Sequence, residues 1–364
     1  MRILSISTDR KAFEAGSAVR SRFLDYGRLV DEFHVIVFAK KSLGFKEESF
    51  PPNIFLYPTN SRTIVGYVLG AIKQGLKLEY RNVRIDVVTT QDPFETGLVG
   101  LTLARLLGAK LHIQIHTDFM SPYFAKESLK NRMRVRLAKL ILPRADRVRV
   151  VSERIKKSLE GIVKEGTPIT ILPIIIDGKY SDNTSYDLKK KYPQFEKHIL
   201  MASRLSPEKN VILALEAMKE ISAKHPRVGL IIVGSGPEET RLKDFVQKNH
   251  LSNNVIFEGW SENLGPYYKT ADVFLLTSNY EGYAMTVVEA LSFGCPVIMT
   301  DVGCAGEVVK DRENGLVVPV GDSGALTRAL AHVVTGGQAF TINPPHILDK
   351  EEYLKRYRNS WLGV

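Results

Sequence analysis

The chain has 364 residues, 44% of them hydrophobic and 25% charged, which is long for one ordinary core and comfortable for two domains. No apolar run approaches the roughly 18 residues a spanning helix needs, and two cysteines, Cys295 and Cys304, cannot build a disulfide framework and fit a reducing cytoplasm. The net charge of +10 is one-sided: residues 1–175 hold 29 Lys+Arg against 17 Asp+Glu, or +12, and the remainder carries −2, so an anionic partner is expected on the N-terminal half.

Met1–Ile6 reads as a first strand and not as a leader peptide. Strands are expected at Ile3–Ser7, His34–Ala39, Asn53–Tyr57, Ile85–Thr90, Lys110–Ile115 and Arg147–Val151. Most have continuously apolar centres, the mark of strands buried on both faces of a parallel sheet. Helical periods lie between several of them, at Ser17–Val30, Thr63–Tyr80, Pro93–Leu107 and Lys126–Leu142. After Ile171–Asp177, the polar Gly178–Lys191 suits a linker and entry segment. A second series then has strands at His198–Ser203, Gly229–Val233, Asn254–Glu258, Ala271–Leu276, Pro296–Met299 and Gly315–Val318. Its helices are Val211–Lys224, Pro237–Asn249, Met285–Phe293 and Ser323–Val334. The pattern predicts an α/β protein of two Rossmann-like, doubly wound parallel sheets facing a cleft. The domains are 1–175 and 176–345, with 346–364 a helix packing back on the first. Ligands then belong outside the carboxyl ends of the strands.

Several residues sit there. Gly16, before the first helix, permits close approach of a phosphate. His116 follows the strand Lys110–Ile115; a lone histidine is more often structural, but its place at a strand's carboxyl end moves it towards function. Arg204 ends one strand and Lys209 opens the next helix, a pair able to hold a diphosphate or to be plain helix-end cations. Gly236 belongs to a Gly-Ser-Gly turn that lacks the third glycine of the dinucleotide-binding spacing. Glu281 falls in a loop and Glu289 in the following helix, whose free N–H groups favour an anion. Carboxylates so placed accept sugar or ribose hydroxyls, although a loop Glu and a solvated helix Glu are the plain alternative. The segment 126–144 has Leu129, Met133, Leu137, Leu140 and Ile141 on one stripe among Lys126, Lys130, Arg132, Arg134, Arg136 and Lys139. It is either a core-facing helix with a solvated basic face or a site for an anionic membrane surface. Nucleic acid is not expected, because no aromatic interleaving accompanies the charge. No phosphate-loop motif, Asp-x-Asp pair or zinc spacing occurs.

The ordered set Ser203-Arg204-Leu205-Ser206-Pro207-Glu208-Lys209-Asn210, Val233-Gly234-Ser235-Gly236-Pro237-Glu238, Glu281-x7-Glu289, Gly294-Cys295-Pro296-Val297-Ile298 and Glu313-Asn314-Gly315-Leu316-Val317-Val318 resembles glycosyltransferase family 4, of GT-B fold. That resemblance implies a retaining transferase that moves a sugar from a nucleotide-diphosphate sugar, UDP favoured over GDP, to a glycan, lipid-linked or small-molecule acceptor, with 1–175 as the acceptor domain and 176–345 as the donor domain. Such an enzyme serves cell-surface glycan or glycolipid synthesis in the cytoplasm, at times as a peripheral protein on the inner face of the membrane. Glu289 would bind ribose, Glu281 and His116 the transferred sugar, Gly282, Tyr283, Ala284 and Met285 the sugar and diphosphate, and Arg204 and Lys209 the leaving diphosphate. Neither a cofactor nor a metal is expected, since side chains replace the metal clamp. The sequence departs from the family at Gly16, one glycine where a pair is usual, at Ser203, and at Ala284, where glycine is usual. An epimerase-like relative and a non-catalytic sugar-nucleotide-binding subunit are the competing readings.

Overall fold

A computed structural model describes residues 1–175, 186–337 and 340–364. The chain divides into two compact units, Met1–Pro173 with Leu348–Val364, and Ile174–Ile347. Gly178–Ser185 of the expected linker lies outside the described residues.

The first unit is built on β1 (Arg2–Ser7), β2 (Glu32–Val37), β3 (Glu48–Phe50), β4 (Ile54–Pro58), β5 (Val87–Thr90), β6 (Lys110–Ile115), β7 (Arg147–Val150) and β8 (Ile169–Ile171). Their order is β3-β4-β2-β1-β5-β6-β7-β8, parallel throughout except for β3 against β4. β3 and β8 escape the sequence reading. Each is three residues at a sheet edge, too short to show a period. The helix expected over 126–142 is two helices, Pro122–Glu127 and Leu129–Ile141. Ser128 is extended (φ −159°, ψ 158°) and its hydroxyl accepts the Asn131 N–H at 3.1 Å, so a serine N-cap ends one helix and starts the next.

The C-terminal helix Lys350–Leu362 belongs to this unit. Asp349 caps it, accepting the Glu352 N–H at 2.8 Å. Its inner face is aromatic: Tyr357 stacks on Tyr26 at 4.3 Å, and Trp361 meets Tyr357 edge-on at 4.9 Å. The adjacent Arg149 is 2% exposed, and among the described residues its hydrogen bonds go to neutral groups. Its guanidinium donates to Gln114 Oε1 and the Leu172 carbonyl, both at 2.8 Å, and to the Tyr353 hydroxyl at 3.2 Å, and lies 4.8 Å from the Tyr357 ring centre.

The second unit holds β9 (Lys197–Ala202), β10 (Val228–Val233), β11 (Val255–Gly259), β12 (Val273–Leu276), β13 (Val297–Thr300) and β14 (Gly315–Val318), in the order β11-β10-β9-β12-β13-β14 and all parallel. Successive side chains enter opposite cores. Ile199, Met201, Leu230 and Ile232 join the helices Val211–Lys224 and Ser323–Val334. Leu200, Ala202, Ile231 and Val233 join Met285–Ser292 and the short helix Gly265–Thr270. Where the described chain resumes, Glu258 gathers the Tyr186 and Tyr192 hydroxyls and, at 2.8 Å, the Lys191 ammonium. Burial opposes ionisation of that carboxyl, but these hydrogen bonds outweigh it and hold its pKa below the usual range.

Because Trp361 is fully buried, Trp361→Ala should lower the unfolding free energy by about 3–5 kcal/mol in urea titrations. Lys355→Ala, on the exposed face of the same helix, should stay within about 0.5 kcal/mol. Equal effects would show that the helix contributes no core.

Candidate functional site

In the second unit the chain winds outward from β9 through β10 to β11, then returns and winds the other way from β12 through β13 to β14. The carboxyl ends of β9 and β12 therefore flank a topological switch point, where loops leaving in opposite directions open a crevice. The loop after β9 carries Arg204 and Lys209, and the loop after β12 carries Glu281. The two loops are sewn together. The Thr277 hydroxyl donates to the carbonyls of Lys209 and Asn210 at 3.0 and 3.1 Å, and the Asn279 N–H to the Glu208 carbonyl at 2.8 Å. Across that seam the Lys209 ammonium reaches Glu281 Oε1 at 2.6 Å, and the Ser278 hydroxyl donates to the same oxygen at 2.7 Å. Lys209 and Glu281 side chains are 18% and 12% exposed, so this pair lies far less open to screening than a surface ion pair.

Arg204 is not drawn into the cluster. Its side chain is 72% exposed and pairs with Glu208 Oε1 at 3.1 Å. Glu289 stands in the helix Met285–Ser292 and accepts from the buried Tyr268 hydroxyl at 2.9 Å. That helix opens at Ala284 without a side-chain cap, and Ala284 takes the left-handed conformation (φ 71°, ψ 67°) that glycine adopts freely. Gly282 is buried, and the Tyr283 carbonyl accepts the Cys304 N–H at 3.0 Å. Met285 begins the helix, half-buried. Gly303 makes this fit possible, since a Cβ there would stand 2.8 Å from the Tyr283 oxygen.

Gly236 has a structural task. A Cβ would stand 2.3 Å from the Leu205 carbonyl oxygen, because the loops after β9 and β10 pack backbone to backbone. Tyr268, Ser278 and Gly303 escape the sequence reading. Ser278 lies three residues before Glu281 in a turn, a usable signal, whereas Tyr268 and Gly303 reach the site only through packing.

In the first unit the equivalent switch lies between β1 and β5. There Gln91 accepts the Thr8 N–H at 2.8 Å and donates to Asp9 at 2.9 Å, a pairing the sequence does not announce. Gly16 has φ 80° and open space around it, so it serves the turn that delivers Ser17, the cap of the helix Ala18–Gly27. His116 follows β6, and its Nδ1 is buried with no hydrogen-bond partner among the described residues. Burial, reinforced by the Arg149 and Arg22 charges, pushes its pKa down to about 3. Asp118, two residues on, has its carboxyl raised above the usual range by burial. Among the described residues no three His, Cys, Asp or Glu gather as a metal site, and no helix is long and apolar enough to cross a membrane.

The fold opposes protonation of His116, so the imidazole should stay neutral through the physiological range. Its ring resonances should be flat from about pH 5 to pH 8, whereas a model histidine titrates near about 6.5. An NMR midpoint inside that window would contradict the burial of this ring.

The profile of the family described as Glycosyl transferases group 1 matches residues 184–349, and that of Glycosyltransferase Family 4 matches residues 27–178. The chain is 24% identical over 309 residues to N-acetyl-alpha-D-glucosaminyl L-malate synthase of Bacillus anthracis, covering 81% of this chain and 78% of that one. It is 28% identical over 248 residues to alpha-monoglucosyldiacylglycerol synthase of Streptococcus pneumoniae, covering 65% and 56%. Among solved structures it resembles HepE of Anabaena in complex with UDP, at TM-score 0.70 and 18% identity, covering 100% of this chain and 94% of that one. Sucrose-phosphate synthase of Thermosynechococcus elongatus is similar at TM-score 0.73 and 21% identity, with the same coverage. Sequence profiles over both units and the two parallel sheets agree: the chain belongs to glycosyltransferase family 4 and has the GT-B fold.

Proposed function

We propose that this protein is a retaining, metal-independent glycosyltransferase that uses a UDP-sugar to build a cell-surface glycan or glycolipid. The observation that carries the reading is the Lys209–Glu281–Ser278 cluster at the switch point of the second unit, beside an uncapped helix N-terminus. As the sugar–phosphate bond breaks, negative charge grows on the leaving diphosphate, and a held ammonium with helix amides stabilises it without a metal. Arg204, exposed and on a short tether to Glu208, can swing to the same charge. Glu289, oriented by Tyr268, accepts the ribose hydroxyls, and Glu281 those of the sugar. His116 is assigned to the transferred sugar as a neutral imidazole; no protein nucleophile is assigned.

Several relatives support the acceptor class by name: besides the glucosyldiacylglycerol synthase, they include a poly(glycerol-phosphate) alpha-glucosyltransferase and a lipopolysaccharide core mannosyltransferase. An α-linked product from an α-configured nucleotide sugar is the outcome of retention. HepE was solved with UDP and with UDP-glucose, which favours uridine. The acceptor is a glycan or a lipid-linked molecule, and the protein works from the cytoplasm as a peripheral partner of an anionic membrane through 126–144.

Lys209→Ala should weaken UDP binding by about 1.5–3 kcal/mol, roughly ten- to a hundredfold, while Arg204→Ala acts in the same direction. Calorimetry with a folded Lys209→Ala protein that binds UDP like wild type would overturn the diphosphate assignment. Donor hydrolysis without acceptor separates a catalyst from a binding subunit.

Transfer should also persist in excess EDTA. Loss of activity in EDTA with recovery on adding manganese would show that a metal holds the diphosphate.

A further inference from the structure

The helix Leu129–Ile141 does not turn its apolar stripe inward. Ile141 and Ala138 are buried, yet Leu129 is 74% exposed, Met133 69% and Leu140 61%. The first two are four residues apart and Leu140 seven beyond Met133, so they share one outer line. Lys130, Arg132, Arg136 and Lys139 are exposed around that line, and the helix contains no carboxylate. Arg134 alone of its cations is engaged inward, with Glu95 Oε2 at 2.9 Å and the Phe94 ring.

This surface continues onto two neighbouring helices. Ile64–Tyr80, Glu95–Leu106 and Leu129–Ile141 connect β4 to β5, β5 to β6 and β6 to β7, each stepping the same way along the sheet. Right-handed crossovers place all three on one face of it. Glu95–Leu106 packs against both others. On Ile64–Tyr80, Val65 is 68% exposed and Leu69, one turn on, 62%, while Leu98 adds a third point between the lines. Large apolar side chains repeated on the outer lines of three adjacent helices form a patch that soluble surfaces seldom carry without a partner.

We infer that the outer face of these three helices lies flat on an anionic lipid leaflet. Charge selects that occupant. A second copy would bring cations against cations, whereas anionic headgroups match Lys130, Arg132, Arg136 and Lys139, and the leucines, valine and methionine enter the acyl boundary. The inference rests on the proposed membrane partnership and extends it from one helix to a face with two apolar lines at its sides.

Vesicles of equimolar phosphatidylglycerol and phosphatidylcholine test it by sedimentation across a salt series. Wild-type protein should bind at low salt and release as salt rises. Val65→Ser/Leu69→Ser, which touches no cation and no part of 126–144, should weaken binding about tenfold or more, as should Leu129→Ser/Met133→Ser. Leu69→Trp should shift its emission to the blue on vesicles, a readout that needs no loss of binding. No binding at low salt, or unchanged binding in Val65→Ser/Leu69→Ser with no Leu69→Trp shift, overturns the three-helix face. The thermal shift of the same proteins with UDP separates this failure from failure of the transferase reading, which predicts a UDP shift whether or not vesicles bind.

Discussion

The constraint from which the rest follows is that a parallel sheet must be covered on both faces. Its crossovers are helices, each strand buries both of its sides, and every helix begins where a strand ends. In the second unit this is visible residue by residue, as Ile199 and Met201 enter one core while Leu200 and Ala202 enter the other. A sheet wound in both directions leaves one place where loops diverge, and the polar residues that cannot enter either core collect there. Arg204, Lys209, Ser278 and Glu281 share one end of the sheet for that reason before any chemistry is considered.

Some of the backbone's conformational cost falls at the same end. Ala284 adopts a backbone that disfavours any side chain by about 1–2 kcal/mol. Its methyl is buried in the core beneath the site, so the alanine is held by packing where the family usually has glycine. The neighbouring glycines serve backbone approach: Gly236 against Leu205 and Gly303 against Tyr283. What reads as a phosphate-binding pattern is, at Gly236, first a rule about how closely two loops stack.

The first unit carries a different expense. Arg149 is buried with no carboxylate among its hydrogen-bond partners in the described residues, although a buried cation is costly unless well compensated. Carbonyl, amide and hydroxyl oxygens and the Tyr357 ring face provide that compensation. The network continues from Gln114 to Thr89 at 3.2 Å and from Thr89 to His112 at 2.8 Å. The Arg149 charge also adds to burial in opposing protonation of His116.

Sequence period alone determined where most strands and helices lie, because a strand buried on both faces and a helix of continuous period each leave a local signature. It also picked out Arg204, Lys209, Glu281 and Glu289, since each stands at a strand end or helix start that the pattern locates. Tertiary structure decided what no local pattern contains. Edge strands Glu48–Phe50 and Ile169–Ile171 exist only through their neighbours. The pairing of Lys209 with Glu281, 72 residues apart, comes from loops meeting over the sheet. The stripe Leu129, Met133, Leu137, Leu140 and Ile141 is one pattern in sequence but two directions in space, with Ile141 inward and Leu129, Met133 and Leu140 outward. A helical period states which residues share a side, and only the neighbouring helix Glu95–Leu106 settles which side the core takes.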